Sequence, residues 1–547
     1  MRACHEMDAR EVADIYLRAR AAVDPDAAEA LGDAPDLRFP DYSPEAFERR
    51  HSIDRAALRA LGDQPGLLAA VMRERLTSEV ELDAVGFTRR LLAPLATPVH
   101  LVRQVFDDLP SGTAAERRRI RMHLAAVPDT LAELQRTLLA EAEQGNVVAA
   151  RQVRVVADQV DRWLAGRFFD GVLDGAAPRE AAAATAAFAD LSATLRTRLL
   201  PLAPTADGVG RDVYSVTAGA FLGEHVDLDE LYVFGWDLIA RLQERGRALA
   251  TQIVGEPDMA AAAAHLDADP EGRVAVGGPL VAWLQQRIDL AAGVAHDRIA
   301  AMPERTRAVE ARLTTAASGV MYYTPADAAS TRPGRVWWTV PDGTADVATW
   351  REVSTVHHEG VPGHHLQHAI THDLAHLHPW QRYLCHVHGY AEGWAHYAEE
   401  LAEEVGLLPT PGEQLGLVLA RLWRACRIVV DIGLHLDLPI PAGAPGPCAD
   451  ATRWTPELGA TVLHEIAGVE PKTARFEVDR YLGWPGQALA FAVGARLWRQ
   501  ARETAERRAG PAFDLRTFHT EALALGPMGL GPLREALRDA VDPEERA

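Results

Sequence analysis

Residues 354–370 read STVHHEGVPGHHLQHAI, and the reading of the fold turns on where this stretch breaks. His357-His358 and His364-His365 flank Glu359 and the run Gly360-Val361-Pro362-Gly363. On an unbroken helix, six residues at roughly 100° each place His358 and His364 about 600° apart, on different faces. Pro362 resolves this, because proline is poor inside a helix and good in its first turn. The spacing predicts a first helix over about 347–359, ending near Gly360. A second helix starts at Pro362 and carries His364 on its first turn. The corner between them can aim two imidazoles at one point.

Working outward, residues 357–396 hold eleven of the 21 histidines. A core has little use for so much titratable imidazole, whereas a metal site does. The string is close to H-E-x-x-H, in which two histidines one turn apart bind zinc and the intervening Glu acts as base. Here the second histidine comes later, so the ligands are read as His358 with either His364 or His365. His368, four residues after His364, is a weaker ligand candidate. His372, His376, His378 and His386 are read, like His368, as structural or solvated. A catalytic zinc site takes three protein ligands and keeps one position open. Downstream, GYAEGWAHYAEEL (389–401) places Glu392, His396 and Glu399 on one helical stripe. Glu392 is taken as the third ligand and Glu399 as a group orienting a ligand histidine. Glu400 is read as a solvated helix end. Zn2+ is the expected cofactor, with another divalent metal left open.

Further out the chain reads as helix. DAREVADIYLRARAA (8–22), the segment after Ser43-Pro44-Glu45, the run ending at Gly145, and about 227–254 and 278–301 all repeat apolar residues at three and four. The Ala-rich run 181–190 is read as plain helix. The texture changes at 319–343, where Tyr322, Tyr323, Val336, Trp337, Trp338 and Val340 predict one or two short strands. PIPAGAPGP (439–447) is a loop. The expected architecture is mainly α, with a small β-sheet beside a deep active-site cleft. One catalytic domain is expected over 1–547, with a helical region at 1–318 and the metal-site and substrate region at 319–547.

The formal net charge of −21 argues against nucleic acid or an anionic membrane as partner. No run of 18 apolar residues predicts a membrane span. Cys4, Cys385, Cys426 and Cys448 are too scattered for a disulfide framework. With an N-terminus that lacks a secretory pattern, this leads to an expected cytoplasmic location. Oligomeric state stays open.

Several stretches together resemble the bacterial DUF885 family. They are DPDAAEALGDAPDLRFPDYSPEAF, YYTPADAASTRPGRVWW, VHHEGVPGHHLQ, YAEGWAHYAEEL, RACRIVVDIGLHL and EVDRYLGWPGQALAFAVG. Glu392-Gly393-Trp394-Ala395 also looks like the N-E-G-F-A string that carries the zinc glutamate in the aminopeptidase branch of the gluzincins. The resemblance implies a large, two-lobed helical fold of zincin-like ancestry. The expected activity is zinc-dependent hydrolysis of peptide or peptide-like amide bonds in small substrates. A carboxypeptidase or dipeptidase trimming a biosynthetic intermediate fits this expectation. Glu359 is then the base. Tyr481 and His435, each in a family-like motif, are candidate oxyanion donors, with Tyr390 as a third. Arg480, in VDRY, is the candidate anchor for a substrate carboxylate, unless it pairs with Asp479 or Glu477, and Arg332 is a weaker choice. The 335–340 strand is expected to hold an extended substrate by edge pairing. Phe491 and Ala492 stand where the family usually has Tyr and Lys, which shifts the expected substrate toward something smaller or less anionic. The rival readings are a metal-binding scaffold running another reaction, a ferrous-iron enzyme on two His and one carboxylate, and a helical protein without activity.

Overall fold

The structure, a computed structural model, describes residues 7–33, 35–314, 321–326 and 332–541. Cys4 and parts of the 319–343 segment lie outside the described residues. Those described form 22 α-helices and five short strands, so the protein is mainly α with a small sheet.

The helices start where side chains can satisfy their free N–H groups. Ala9–Ala21 opens on an Asp8–Glu11 capping box, and Ala114–Glu143 on a Thr113–Glu116 one. Pro44–Leu61 takes Ser43 as its cap. Leu228–Val254 stops at Gly255, whose φ of +82° suits glycine. Gly278–Arg298 and Pro178–Thr194 cover the other expected helices.

Strands β1 (Arg273–Ala275) and β5 (Asp346–Ala348) pair antiparallel. Strands β2 (Val309–Thr314), β3 (Tyr322–Thr324) and β4 (Gly334–Thr339) form a second sheet in the order β2-β4-β3. The β2 pairing to β4 is parallel, Val309 opposite Gly334, and the β3 pairing is antiparallel, Tyr322 opposite Trp337. This corrects the expectation that the 335–340 strand offers an edge to substrate. β4 is central, and both of its edges are already hydrogen-bonded within the sheet.

One hydrophobic core runs from Val12 to Leu537. A second, between Tyr42 and Leu199, is built from the helices Pro98–Asp108, Ala114–Glu143, Ala150–Ala165 and Pro178–Thr194. The first core ties the N-terminal helix to the segment around 378–380: Tyr16 packs edge-on to Trp380 at 6.3 Å, and His378 Nε2 lies 3.0 Å from Asp14.

The helix Pro411–Leu436 lies at the centre, almost wholly buried. Gly235 lets the helix Leu228–Val254 close on it, since a Cβ there would sit 2.8 Å from Val429 Cγ1. Arg424, Arg427, Asp431 and His435 recur along it at helical spacing, so one polar stripe crosses the apolar interior.

Candidate metal centre

The 354–370 stretch folds as a corner. Val353–Glu359 is one helix and His364–Asp373 the next. The first is shorter than predicted, because 346–348 is drawn into β5. The turn is closed by Gly363 N–H donating to His357 O (2.9 Å) and His365 N–H to Gly360 O (3.0 Å). Trp394 Nε1–H donates to Pro362 O at 3.0 Å, which pins the corner to the helix His388–Glu404. A Cβ on Gly363 would fall 1.9 Å from His358 O, so only glycine permits this approach.

The corner brings His358 and His364 together with Glu392. Their ligand atoms lie within 4.8 Å of one another, the one such group among the described residues. Glu392 Oε2 is 3.2 Å from His358 Nε2 and 3.6 Å from His364 Nε2. Donors bonded to zinc at 2.0–2.2 Å in a tetrahedron stand about 3.3–3.6 Å apart, so the donor set and the two spacings from Glu392 fit that ion. Burial works against charge on Glu392, but hydrogen bonding to both histidines holds its carboxyl well below the usual range.

Glu399 sits one layer behind, fully buried. It accepts from His358 Nδ1–H at 2.8 Å and from Ser354 Oγ–H, with His396 Nδ1 at 3.3 Å and Arg424 Nη2 at 3.7 Å. This contact fixes the His358 tautomer and leaves Nε2 facing Glu392. Burial pushes the His358 imidazole down, yet Glu392 and Glu399 raise it to about 9. Glu359, the last residue of its helix, carries no hydrogen bond among the described residues, and burial raises its carboxyl against the pull of His358 and His364.

The helices His388–Glu404 and Ala490–Ala509 cross backbone to backbone. A Cβ on Gly393 would lie 2.5 Å from Gly494 Cα, and one on Gly494 would lie 2.2 Å from Gly389 O. This contact seats Phe491 on the site. Its ring stacks on His358 at 6.0 Å and 19°, and Arg427 and Arg424 stand 4.5 and 5.7 Å from its centroid. Arg427 is 5% exposed and bonds Glu477 Oε2 at 3.0 Å.

Other predicted residues fall elsewhere. His365 is turned to the sheet, where Tyr323 O–H donates to Nδ1 (3.1 Å) and Nε2–H donates to Arg307 O (3.3 Å), so neither nitrogen is left for a metal. Burial lowers its imidazole to about 4. Gly334 leaves room for that pair, since a Cβ there would sit 2.7 Å from His365 Nδ1. His368 packs on Tyr323 and is not in the triad.

His435 cannot serve as an oxyanion donor. Val209 N–H donates to its Nδ1 (3.2 Å), and its Nε2–H donates to Tyr481 O (3.1 Å). The Tyr481 hydroxyl is likewise committed. It donates to Glu477 Oε2 (2.8 Å) and accepts from Arg427 Nε–H (3.1 Å) and Trp423 Nε1–H (3.3 Å). Tyr390 is buried against Trp498, its hydroxyl without a hydrogen-bond partner among the described residues. Arg332 is tied to the Pro325 and Pro333 carbonyls.

Arg480 pairs with Glu477 (3.1 Å) rather than Asp479, donates to Gln487 Oε1 (2.9 Å), and keeps its side chain 17% exposed. Asp479 pairs with Arg151. Sequence reasoning missed Arg424 and Arg427. Their signal was present as charged residues at helical spacing in the otherwise apolar RACRIVVDIGLHL.

Comparison with known proteins places this geometry in context. The model of the family described as "Bacterial protein of unknown function (DUF885)" matches residues 25–537. A proposed lipoprotein from Colwellia psychrerythraea has the same fold, with a TM-score of 0.83 over 98% of this chain and 100% of that one, at 19% identity. A proposed lipoprotein of unknown function from Shewanella oneidensis superposes with a TM-score of 0.70 over 97% of this chain and 100% of that one, at 15% identity. No curated protein matches the chain. The description of both relatives as lipoproteins overturns the expected cytoplasmic location. Among the described residues no helix is long and apolar enough to cross a membrane.

Proposed function

The chain belongs to the DUF885 family, and from that premise we propose that it is a zinc-dependent hydrolase of peptide-like amide bonds, with His358, His364 and Glu392 as the ligands. The observation that carries this reading is the convergence of those three donors within 4.8 Å, with Glu359 adjacent in sequence to one of them. In this reading Glu392-Gly393-Trp394-Ala395 is the counterpart of the glutamate-bearing string of the gluzincins.

Zinc, when bound, polarises a carbonyl and lowers the pKa of water toward neutrality. The chain's own groups do the rest. Glu359, whose carboxylate has no hydrogen bond among the described residues, takes the proton of the attacking water and returns it to the leaving nitrogen. Glu399 holds the His358 ring in place. Arg480, its side chain 17% exposed, anchors a substrate carboxylate. Arg424 and Arg427 stand behind the Phe491 ring, each paired with a buried glutamate, Glu399 and Glu477. The substrate class is therefore a small peptide or amide-linked amino acid conjugate with a free carboxylate.

The test is elemental analysis of the purified protein joined to a panel of dipeptides and N-acyl amino acids. The expected result is about one zinc per chain, with hydrolysis that a chelator abolishes and zinc restores. Absence of zinc, and no zinc uptake by the stripped protein, overturns the reading. Iron in place of zinc, with no hydrolysis, would instead favour a ferrous-iron enzyme.

A further inference from the structure

A cavity of about 250 Å³ opens on the far side of the Pro471–Gly483 helix end, where the segments around 87–91, 145–152 and 204–213 meet Leu482, Gly483 and Pro485. Phe87, Leu91, Val147, Val213, Leu482 and Pro485 give it apolar walls. At roughly 30 Å³ per water in the liquid, it has the volume of about eight waters, enough for one small aromatic acid.

Arg90 stands in this wall, partly buried. Among the described residues its guanidinium makes no hydrogen bond and no ion pair. Glu141 is the acid whose charge acts on it, and that carboxylate is engaged by Asn146 Nδ2–H at 2.6 Å. Arginine stays charged at any accessible pH, so it cannot escape partial burial by losing its proton. The wall also carries an unmet acceptor, which takes no part in holding an anion. Gln152 is 1% exposed and donates its amide N–H to Asp479 O at 2.9 Å, but its Oε1, set against Gly483, has no partner. A solvent-facing arginine in a protein of net charge −21 has many acids to choose from. Asp207, the one acid lining the recess, is taken by Arg151 at 3.0 Å, so an unpaired arginine there fits an anion supplied from outside.

We propose that this cavity is a second binding site, for a small apolar molecule carrying one carboxylate, which Arg90 holds by a charge-assisted hydrogen-bonded pair. The site is distinct from the triad and does not depend on the hydrolase reading. Its floor is the helix end that carries Arg480 and Tyr481. Gln152 and Arg151 grip the same helix through Asp479. A molecule seated there therefore touches the segment that positions the Arg480–Glu477 pair.

The probe is 3-phenylpropionate, an apolar acid of the right size, with 3-phenylpropionamide as its neutral counterpart. Calorimetric titration of the full-length protein should show saturable binding of the acid at one site per chain. The amide should bind at least about tenfold more weakly, since it offers no charge to the guanidinium. Arg90→Gln should weaken the acid by a similar factor. So should Ala206→Trp, which closes the mouth at an exposed position and leaves the core intact. Prior treatment with EDTA, which empties any metal from the triad, should leave the affinity unchanged. Failure of the wild-type protein to bind the acid at millimolar concentration overturns the proposal. So does wild-type affinity in Arg90→Gln, or binding that disappears with EDTA.

Discussion

His358 and Phe491 lie face to face, their rings 6.0 Å apart and 19° from parallel, with the Arg427 guanidinium 4.5 Å from the Phe491 centroid. The phenyl ring is thus a spacer between an imidazole of the triad and a buried cation. Its removal would bring the cation's field onto His358 and leave a void. Phe491→Ala should lower stability by about 3–5 kcal/mol, the usual range for a buried phenylalanine. It should also weaken zinc binding, whereas Phe491→Leu should keep most of both. Denaturant unfolding and competitive zinc titration report the two effects separately. Unchanged zinc affinity in the alanine variant would remove the spacer role.

Glu399 orients His358 without being one of the three converging donors. Glu399→Gln keeps the size and removes the negative charge that accepts from His358 Nδ1–H and Ser354 Oγ–H. Zinc affinity should fall by roughly 10–100-fold, the range for groups that orient metal ligands. A full zinc complement at wild-type affinity would show that the contact is structural only.

Glu359→Gln should retain zinc and thermal stability and lose turnover by roughly 10²–10⁴-fold, the contribution of a positioned general base. The measurement is kcat together with metal content. Wild-type kcat in a zinc-loaded variant removes Glu359 from the chemistry.

Arg480→Ala should raise KM for substrates with a free carboxylate by about tenfold or more, the scale of a charged hydrogen bond. It should change KM little for the corresponding amides. Paired kinetics on an N-acyl amino acid and its amide check this, and equal effects on both would limit Arg480 to its pairing with Glu477 and Gln487.

Asp431 carries a pH dependence of stability. Burial pushes its carboxyl up to about 8, although Tyr214 O–H (2.8 Å) and Gly486 N–H (2.9 Å) both donate to Oδ2. From near pH 4, where the unfolded chain releases this proton, up to about 8, the folded state holds a proton that the unfolded state has lost. Folding stability from this group is therefore present below pH 4 and declines as pH rises to about 8, at a limiting slope of about 1.4 kcal/mol per pH unit. Asp431→Asn should flatten the stability profile over that window in urea unfolding at several pH values. A profile identical to wild type would show that Asp431 does not titrate there.

The corner was legible because Gly-Val-Pro-Gly cannot sit inside a helix, and Glu392 because its segment is helical and follows at the distance a third ligand needs. Where the first helix begins was not legible. Residues 346–348 are claimed by pairing with Arg273–Ala275, some seventy residues upstream, and such pairing leaves no local periodicity. The choice between His364 and His365 rested on the sheet, since Tyr323 and Arg307 occupy both His365 nitrogens. His435 and Tyr481 failed as oxyanion donors for the same reason. A sequence gives the chemical type of a side chain but not the distant Val209, Glu477 or Arg427 that use up its hydrogen bonds.

The glycine contact among Gly389, Gly393 and Gly494 has a consequence for how the protein can change over generations. Because main chain meets main chain there, the offset between Glu392 and Phe491 does not depend on the size of any side chain. Surrounding core positions are free to drift without altering the ligand spacing. A change at position 492 then reshapes the wall, keeps the ring that stacks on His358, and leaves the anchoring of the three residues as it was.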